Sequence, residues 1–324
     1  MPDLVLRVAR SAAVVFGVVT LTFLLLHLAP GDPVMRLLGP AATAEQIAAA
    51  RIALGLDRPL VEQYAEWLAR ALRGDFGISI AHGRSALGLL GEAWPATALL
   101  VFLSLALSYA LGLAIGAWQA QTRRRWLDAW TSAGTVTLTA MPSYWLGLAL
   151  VMLFTYHLRW LPAFGASGLD AEYLTGWERV VDRLRHLALP LLTLTLIGLG
   201  GTARVSRAAM RELRGAPFVL AARARGLSGR RVVGRHQLRN ALVPIVTLLG
   251  LSLPALFSGA VFVEAIFAWP GVGQVLVQAV QARDYPVVMA ATTVSAILVV
   301  TGTLLAEYLV SRVDPRVRQR HAAS

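Results

Sequence analysis

The sequence predicts an all-α membrane protein with six transmembrane helices and both termini in the cytoplasm. Three observations carry that prediction. The chain has 324 residues, is 56% hydrophobic and has a mean hydropathy of +0.61, more apolar than the core of a soluble domain of this size requires. Its apolar residues lie in long runs free of acidic and basic side chains. All 30 of its basic side chains are arginine, and nineteen of them fall in segments that this topology places inside.

In chain order, residues 1–28 are expected to hold a short basic tail and the first transmembrane helix, Ser11 to Leu28. Arg7 and Arg10 ahead of an apolar run also suit a cleaved leader. No small-x-small cleavage site follows, however, and Pro30-Gly31-Asp32-Pro33 comes at once, so a retained helix is expected. Residues 29–95 read as a polar extracytoplasmic segment with two short helices. Thr43 with Gln46 makes a capping box for the first, which Gly55 stops. Pro59 starts the second, with Leu60, Tyr64, Trp67, Leu68 and Ala71 on one face and Gly74 as its stop. Neither can bury its apolar face alone, so both are expected to pack on the membrane bundle.

Residues 96–311 read as a five-helix transmembrane core. Its second span, Ala96 to Ala120, has Trp94 and Trp118 near its ends, as interfacial belts require. Arg123-Arg124-Arg125 is the inner link, and the run from Ala129 to Leu158 gives a third span kinked at Met141-Pro142. Arg159 to Arg185 reads as a second outer loop and Ile266 to Asp284 as a third. Tyr285 to Ala306 is the sixth span, and residues 312–324 form a basic cytoplasmic tail.

Between the fourth and fifth spans lies a basic connection, residues 204–240. Ten arginines fall there against one acid, Glu212, while the flanking stretches His186 to Ala203 and Asn240 to Val263 carry no Asp, Glu or Arg. Arg204, Arg207, Arg211 and Arg214 make one helical stripe, suited to lipid phosphate or to an acidic partner. Phe218 to Arg225 reads helical, Gly226 stands where a left-handed residue ends a helix, and Ser228 can cap a second helix carrying Val232, Val233 and Leu238. Ala221, Ala222 and Ala224 give the first helix a small-residue face that admits a close partner.

The row AARARGLSGRRVVGRHQLRNALVP resembles the cytoplasmic coupling loop of ABC importer permeases of the dipeptide, oligopeptide and nickel branch. The fixed glycine is matched by Gly226, the apolar-Arg-Asn element by Leu238-Arg239-Asn240, and the proline by Pro244. The glutamate that names the loop is replaced by Leu220. Four further motifs of that branch stand in order: Pro30 to Pro33; Gly74-Asp75-Phe76-Gly77-Ile78-Ser79; Phe267, Trp269, Pro270, Gly271 and Gly273; and Arg283-Asp284-Tyr285-Pro286. The tail element Asp314-Pro315-Arg316 also matches.

The resemblance implies a type I ABC importer transmembrane domain in a bacterial inner membrane, forming half of a translocation pathway for short peptides. Nickel is the alternative substrate, and a membrane scaffold without transport the alternative of another class. The implied partners are a second permease, two ATPase subunits and an extracytoplasmic binding protein. ATP and magnesium would belong to the ATPases, with no cofactor on this chain. Contact with the ATPase is expected from Phe218, Ala221, Ala222, Arg223, Ala224, Arg225, Gly226, Leu227, Arg239 and Asn240. Asp32, Glu264, Trp269, Pro270, Gly271 and Asp284 are candidates for the pathway or its outer gate; Asp32, between two prolines, suits accepting turn N–H bonds better, and Glu264, an acid at the end of a span, equally suits a pair with Arg283.

Other chemistry is excluded. There is no cysteine and no lysine, hence no thiolate metal site and no phosphate-binding loop of the G-x-x-x-x-G-K type. The six histidines show no metal-ligand spacing within a span, although His27, His157 and His186 all fall near the predicted outer face. The arginine distribution follows topology and leaves no nucleic-acid footprint.

Overall fold

The computed structural model describes residues 2–31 and 33–313. In these the chain is helical between turns, with one isolated antiparallel bridge, Ile78 to Ser85. The helices are α1 (Pro2–Leu28), α2 (Pro33–Leu38), α3 (Ala44–Ala53), α4 (Leu60–Ala71), α5 (Ala86–Gln121), α6 (Arg125–Ala140), α7 (Ser143–Leu150), α8 (Gly176–Glu212), α9 (Pro217–Ala224), α10 (Gly229–Arg231), α11 (Arg239–Ile266), α12 (Val272–Ala282) and α13 (Tyr285–Val313). Two π-helical stretches interrupt the pattern. Val151–His157 extends α7, and Val232–Leu238 joins α10 to α11.

Among the described residues, four helical stretches are long and apolar enough to cross a membrane: Leu6–Leu28, Ala86–Gln121, Gly176–Gly215 and Tyr285–Leu305. Arg125–Ala140 and Ser143–His157 make a fifth if they are one span. The expected kink there is a break of 109°. Pro142 brings no N–H to the helix and pushes Met141 into extended backbone, φ −73° and ψ 131°. The predicted fifth span coincides with α11, a continuous helix of 28 residues.

The described residues divide into two compact units, those within 1–97 and 270–300, and those within 98–269 and after 300. The core of the first joins Val19, Phe23 and Leu26 of α1, Trp67 of α4, Leu90 and Ala93 of α5, and Val287 to Ala291 of α13. The capping box forms as read. Thr43 N–H donates to Gln46 Oε1 at 2.9 Å, and Gln46 N–H donates to Thr43 Oγ1 at 3.3 Å. Tyr64, Trp67, Leu68 and Ala71 seat α4 on this core, whereas Leu60 stays exposed.

In the second unit α8 is the central helix, packed on α6, α7 and α11. It begins at Gly176, ten residues before the predicted span, so the second outer loop is shorter than expected. Its first turns are held by side chains rather than by apolar burial. Asp182 Oδ2 accepts from Gly168 N–H at 2.9 Å, and its carboxylate lies 3.3 Å from His186 Nδ1. Two glycines set the spacing of the helices. A Cβ at Gly116 would stand 2.5 Å from the Ala203 carbonyl oxygen, and one at Gly200 would stand 2.4 Å from that of Thr135. Backbones meet directly at these points, as membrane helices do without a hydrophobic drive to pack. Three buried or half-buried hydroxyls in this packing are satisfied by backbone carbonyls. Thr193 donates to Leu189 O, Thr202 to Gly198 O, and Ser108 crosses to Thr195 O at 2.9 Å.

Candidate functional sites

The second unit carries the first candidate site, the bent basic segment after α8. α9 opens with Pro217, whose fixed φ suits a first helical position. It closes in a Schellman arrangement. Gly226 N–H reaches Arg223 O at 2.9 Å, Leu227 N–H reaches Ala222 O at 3.3 Å, and Gly226 has φ +77°. Ser228 takes the capping position for α10 with extended backbone, but its side chain makes no capping bond.

The small-residue face differs from the expected one. Ala222 turns inward and packs with Val219 and Val232, all three essentially without exposure, with Ala216 and Leu227 beside them. Helical spacing then turns Phe218, Ala221 and Ala224 outward, and Leu220 is 52% exposed. The outer face of α9 is therefore apolar, with the large Phe218 and Leu220 beside the small Ala221 and Ala224. Arg223, Arg225 and Arg239 are exposed. Asn240 is exposed too, and its side-chain amide donates to His236 O at 2.7 Å, tying off the π-helical stretch.

The arginine stripe has an internal partner that the sequence reading missed. Asp128, in the first turn of α6, receives Arg207 through two bonds of 2.8 and 2.6 Å, and Arg211 at 2.7 Å. Asp128 is 15% exposed and Arg207 26%. The available signal was that Asp128 is the one acid close to the Arg123-Arg125 link. Asp128→Ala is expected to destabilise the protein by about 2 kcal/mol, since charge-assisted bonds outweigh neutral ones. Thermal unfolding in detergent of Asp128→Ala, Arg207→Ala and the double variant checks this; additive effects would show that the pair is not coupled.

In the first unit three motifs far apart in sequence meet. Asp284, 1% exposed, accepts from the Ser79 hydroxyl, from Ile80 N–H at 3.1 Å and from Ala81 N–H at 3.2 Å. Ser79 Oγ in turn accepts from His82 N–H at 2.9 Å, so Asp284 holds the whole turn after Gly77. Arg283, in left-handed backbone at φ +59°, donates its guanidinium to the Pro30 carbonyl. Gly77 passes against Pro286, where a Cβ would lie at 3.5 Å. Asp284 is thus a clamp within its own unit. Asp32 lies outside the described residues.

The remaining candidates lie around the end of α11. Glu264 is fully buried, and its backbone carbonyl accepts from Trp269 N–H at 2.9 Å, closing the helix over Ala268 at φ +47°. Trp269 is 5% exposed, Pro270 is exposed and Gly271 buried; the boundary between the units falls between Trp269 and Pro270. His27 bonds its own helix at Phe23 O, and His186 bonds Asp182 O. Among the described residues no three His, Asp or Glu side chains gather as a metal site.

This fold is that of an ABC transporter transmembrane domain. It matches a chain of the MetNI methionine ABC transporter in an inward-facing conformation with TM-score 0.53 and 19% identity, covering 70% of this chain and 97% of that one. An amino acid ABC transporter matches with TM-score 0.52 and 14% identity, over 70% of this chain and 94% of that one.

Residues 112–319 match the binding-protein-dependent transport system inner membrane component, and residues 1–104 match the N-terminal part of such components. The chain belongs to this family: it is a multi-pass inner-membrane subunit of an ABC importer. The oligopeptide transport system permease protein AppB of Bacillus subtilis is 35% identical over 96% of this chain and 97% of its own length. The di/tripeptide transport system permease protein DppB of Pseudomonas aeruginosa is 36% identical, over 94% of this chain and 95% of its own. The glutathione transport system permease protein GsiC of Escherichia coli is 34% identical, over 94% and 95%.

Proposed function

We propose that the chain lines half of a translocation pathway for short peptides. A second permease completes the pathway, two ATPase subunits dock beneath the pair, one of them on the α9 segment of this chain, and an extracytoplasmic binding protein delivers the peptide. The observation that carries the substrate is the pair of relatives named for oligopeptides and for di/tripeptides, which align along nearly the whole chain at 35–36% identity. The exposed face of Phe218, Ala221 and Ala224, in a segment with exposed arginines, supports the docking role. An apolar strip with one exposed aromatic ring suits burial in a cleft, and the neighbouring guanidinium groups suit an acidic rim. Arg223, Arg225, Leu227, Arg239 and Asn240 belong to the same contact, with Ala222 supporting it from beneath.

In this mechanism ATP binding closes the ATPase pair and moves α9. Helices α8 and α11, continuous with the segment on either side, carry that displacement into the bundle and switch which side it opens to. ATP and magnesium stay with the ATPases. Glu264, Trp269, Pro270, Gly271 and Asp32 belong to the pathway or its outer gate, and Asp284 supports that gate by holding its turn. Six spans, with both termini inside, are the topology this requires.

Proteoliposomes containing the assembled importer test the reading. Uptake of a radiolabelled dipeptide that needs both ATP and the binding protein is the expected result. Uptake of nickel with no peptide flux would move the assignment to an ion importer, and no flux of either would leave a scaffold.

A further inference from the structure

The first unit contains a cavity of about 490 Å³ that the transport mechanism does not use. Its walls come from α1, α4, α13 and the turns after α3 and α4. Part of the apolar lining is aromatic, beside aliphatic residues such as Leu56, Ile80 and Met289: Phe23 lies 4.1 Å from the His27 ring, His27 lies 5.0 Å from Tyr285, and Trp67 meets Phe76 edge-on at 6.2 Å. These rings hold one another, so the floor is rigid. The volume lies within the range of small-molecule sites.

Four charged side chains line the same cavity, and two of them cancel. Arg58 pairs with Glu66 at 2.8 Å. Arg70 and Asp75 remain, opposite in sign and without an ion-pair partner among the described residues. The backbone brings them together, because Asp75 N–H donates to Arg70 O at 3.0 Å. Asp75 spends one oxygen on Gly77 N–H at 2.9 Å and keeps the other. Arg70 stands one helical turn from Glu66 and three residues from Trp67, on the face of α4 that borders the cavity.

We propose that this cavity is a binding site for a zwitterion. Its anionic oxygens meet Arg70, its ammonium meets Asp75, and its apolar part lies on the Phe23–Trp67–Phe76 floor. A guanidinium binds carboxylate or phosphate in a bidentate fork, and aromatic faces beside a carboxylate favour an ammonium. Two sources carry this chemistry, the termini of a short peptide and an ethanolamine phospholipid headgroup. The choice of a dipeptide as probe rests on the transport reading; the charge arrangement does not.

Isothermal titration of the full chain, held in nanodiscs of phosphatidylglycerol, whose headgroup has no ammonium, with Ala-Phe, N-acetyl-Ala-Phe and Ala-Phe amide tests the proposal. Wild type is expected to bind Ala-Phe about tenfold tighter than either capped form, the scale of one charged contact. Arg70→Gln should lose the preference over the amide, and Asp75→Asn the preference over the acetylated form. Asparagine keeps the oxygen that accepts from Gly77, so the turn is preserved. A parallel arm compares phosphatidylethanolamine retained through purification by wild type and both variants. Loss of that lipid from the variants, with no peptide binding to wild type, assigns the same site to the headgroup. Unchanged peptide preference in both variants, or no dependence of either ligand on Arg70 and Asp75, overturns the proposal. The titration reads binding to this chain alone, so failed uptake in proteoliposomes would leave it standing.

Discussion

Gly226→Val is expected to reduce peptide uptake by about tenfold or more while the chain still inserts and accumulates normally. Gly226 holds φ +77°, and the two bonds that end α9 depend on that conformation. No heavy atom outside the neighbouring residues lies within 4 Å of where its Cβ would stand, so the substitution meets no steric wall. The cost is in the backbone. A branched side chain in left-handed space carries about 1–3 kcal/mol, and the chain escapes it by turning the α9–α10 junction another way. That escape swings Phe218, Ala221 and Ala224 relative to the bundle while leaving each helix intact. A graded series makes the argument sharper. Asparagine tolerates left-handed backbone best, alanine less and valine least, so uptake should fall in that order at equal membrane abundance. Normal uptake by the valine variant would sink the coupling role of this turn.

The second large effect belongs to Asp284. Replacing it with alanine leaves the Ser79 hydroxyl and the N–H groups of Ile80 and Ala81 without their acceptor in a site that is 1% exposed. Each orphaned donor costs about 1–3 kcal/mol, and relaxation of the turn recovers part of the sum, so a loss of about 3 kcal/mol is expected. Asparagine is no remedy, since its amide nitrogen would face donors. Thermal unfolding of the purified protein, with limited proteolysis of the turn at residues 77–85, checks this. An unfolding temperature unchanged from wild type in both variants would show that the clamp contributes nothing to the fold.

Features whose physics is local were legible in the sequence. A capping box needs only Thr43 and Gln46, a left-handed stop needs only Gly226, and a break needs only Pro142. The break is sharper than expected because Met141 itself adopts extended backbone. Pairings across the chain were not legible. The motifs at Gly74–Ser79 and Arg283–Pro286 were visible as separate rows, but nothing in either says that Asp284 is the acceptor for Ser79. Asp128 was not legible for the same reason: the arginine spacing suits lipid phosphate or a partner equally, and only the placement of α6 brings the carboxylate to it. The inward turn of Ala222 was not legible either, because a run of alanines has no period of its own. Only the packing of Val219 and Val232 decides which alanine faces in.

The outer clamp also imposes a timetable on synthesis. Ser79 and Asp284 are 205 residues apart, so at ribosomal speeds the turn after Gly77 waits about 10–40 s for its acceptor. Throughout that interval the first-made quarter of the protein lacks the α12 and α13 residues that complete its core. The nascent segment is then a substrate for surface proteases and chaperones, and its lifetime is set by translation of everything between. Slowing elongation before residue 270 should therefore lower the yield of mature subunit more than slowing it afterwards, through losses that no property of the finished fold would reveal.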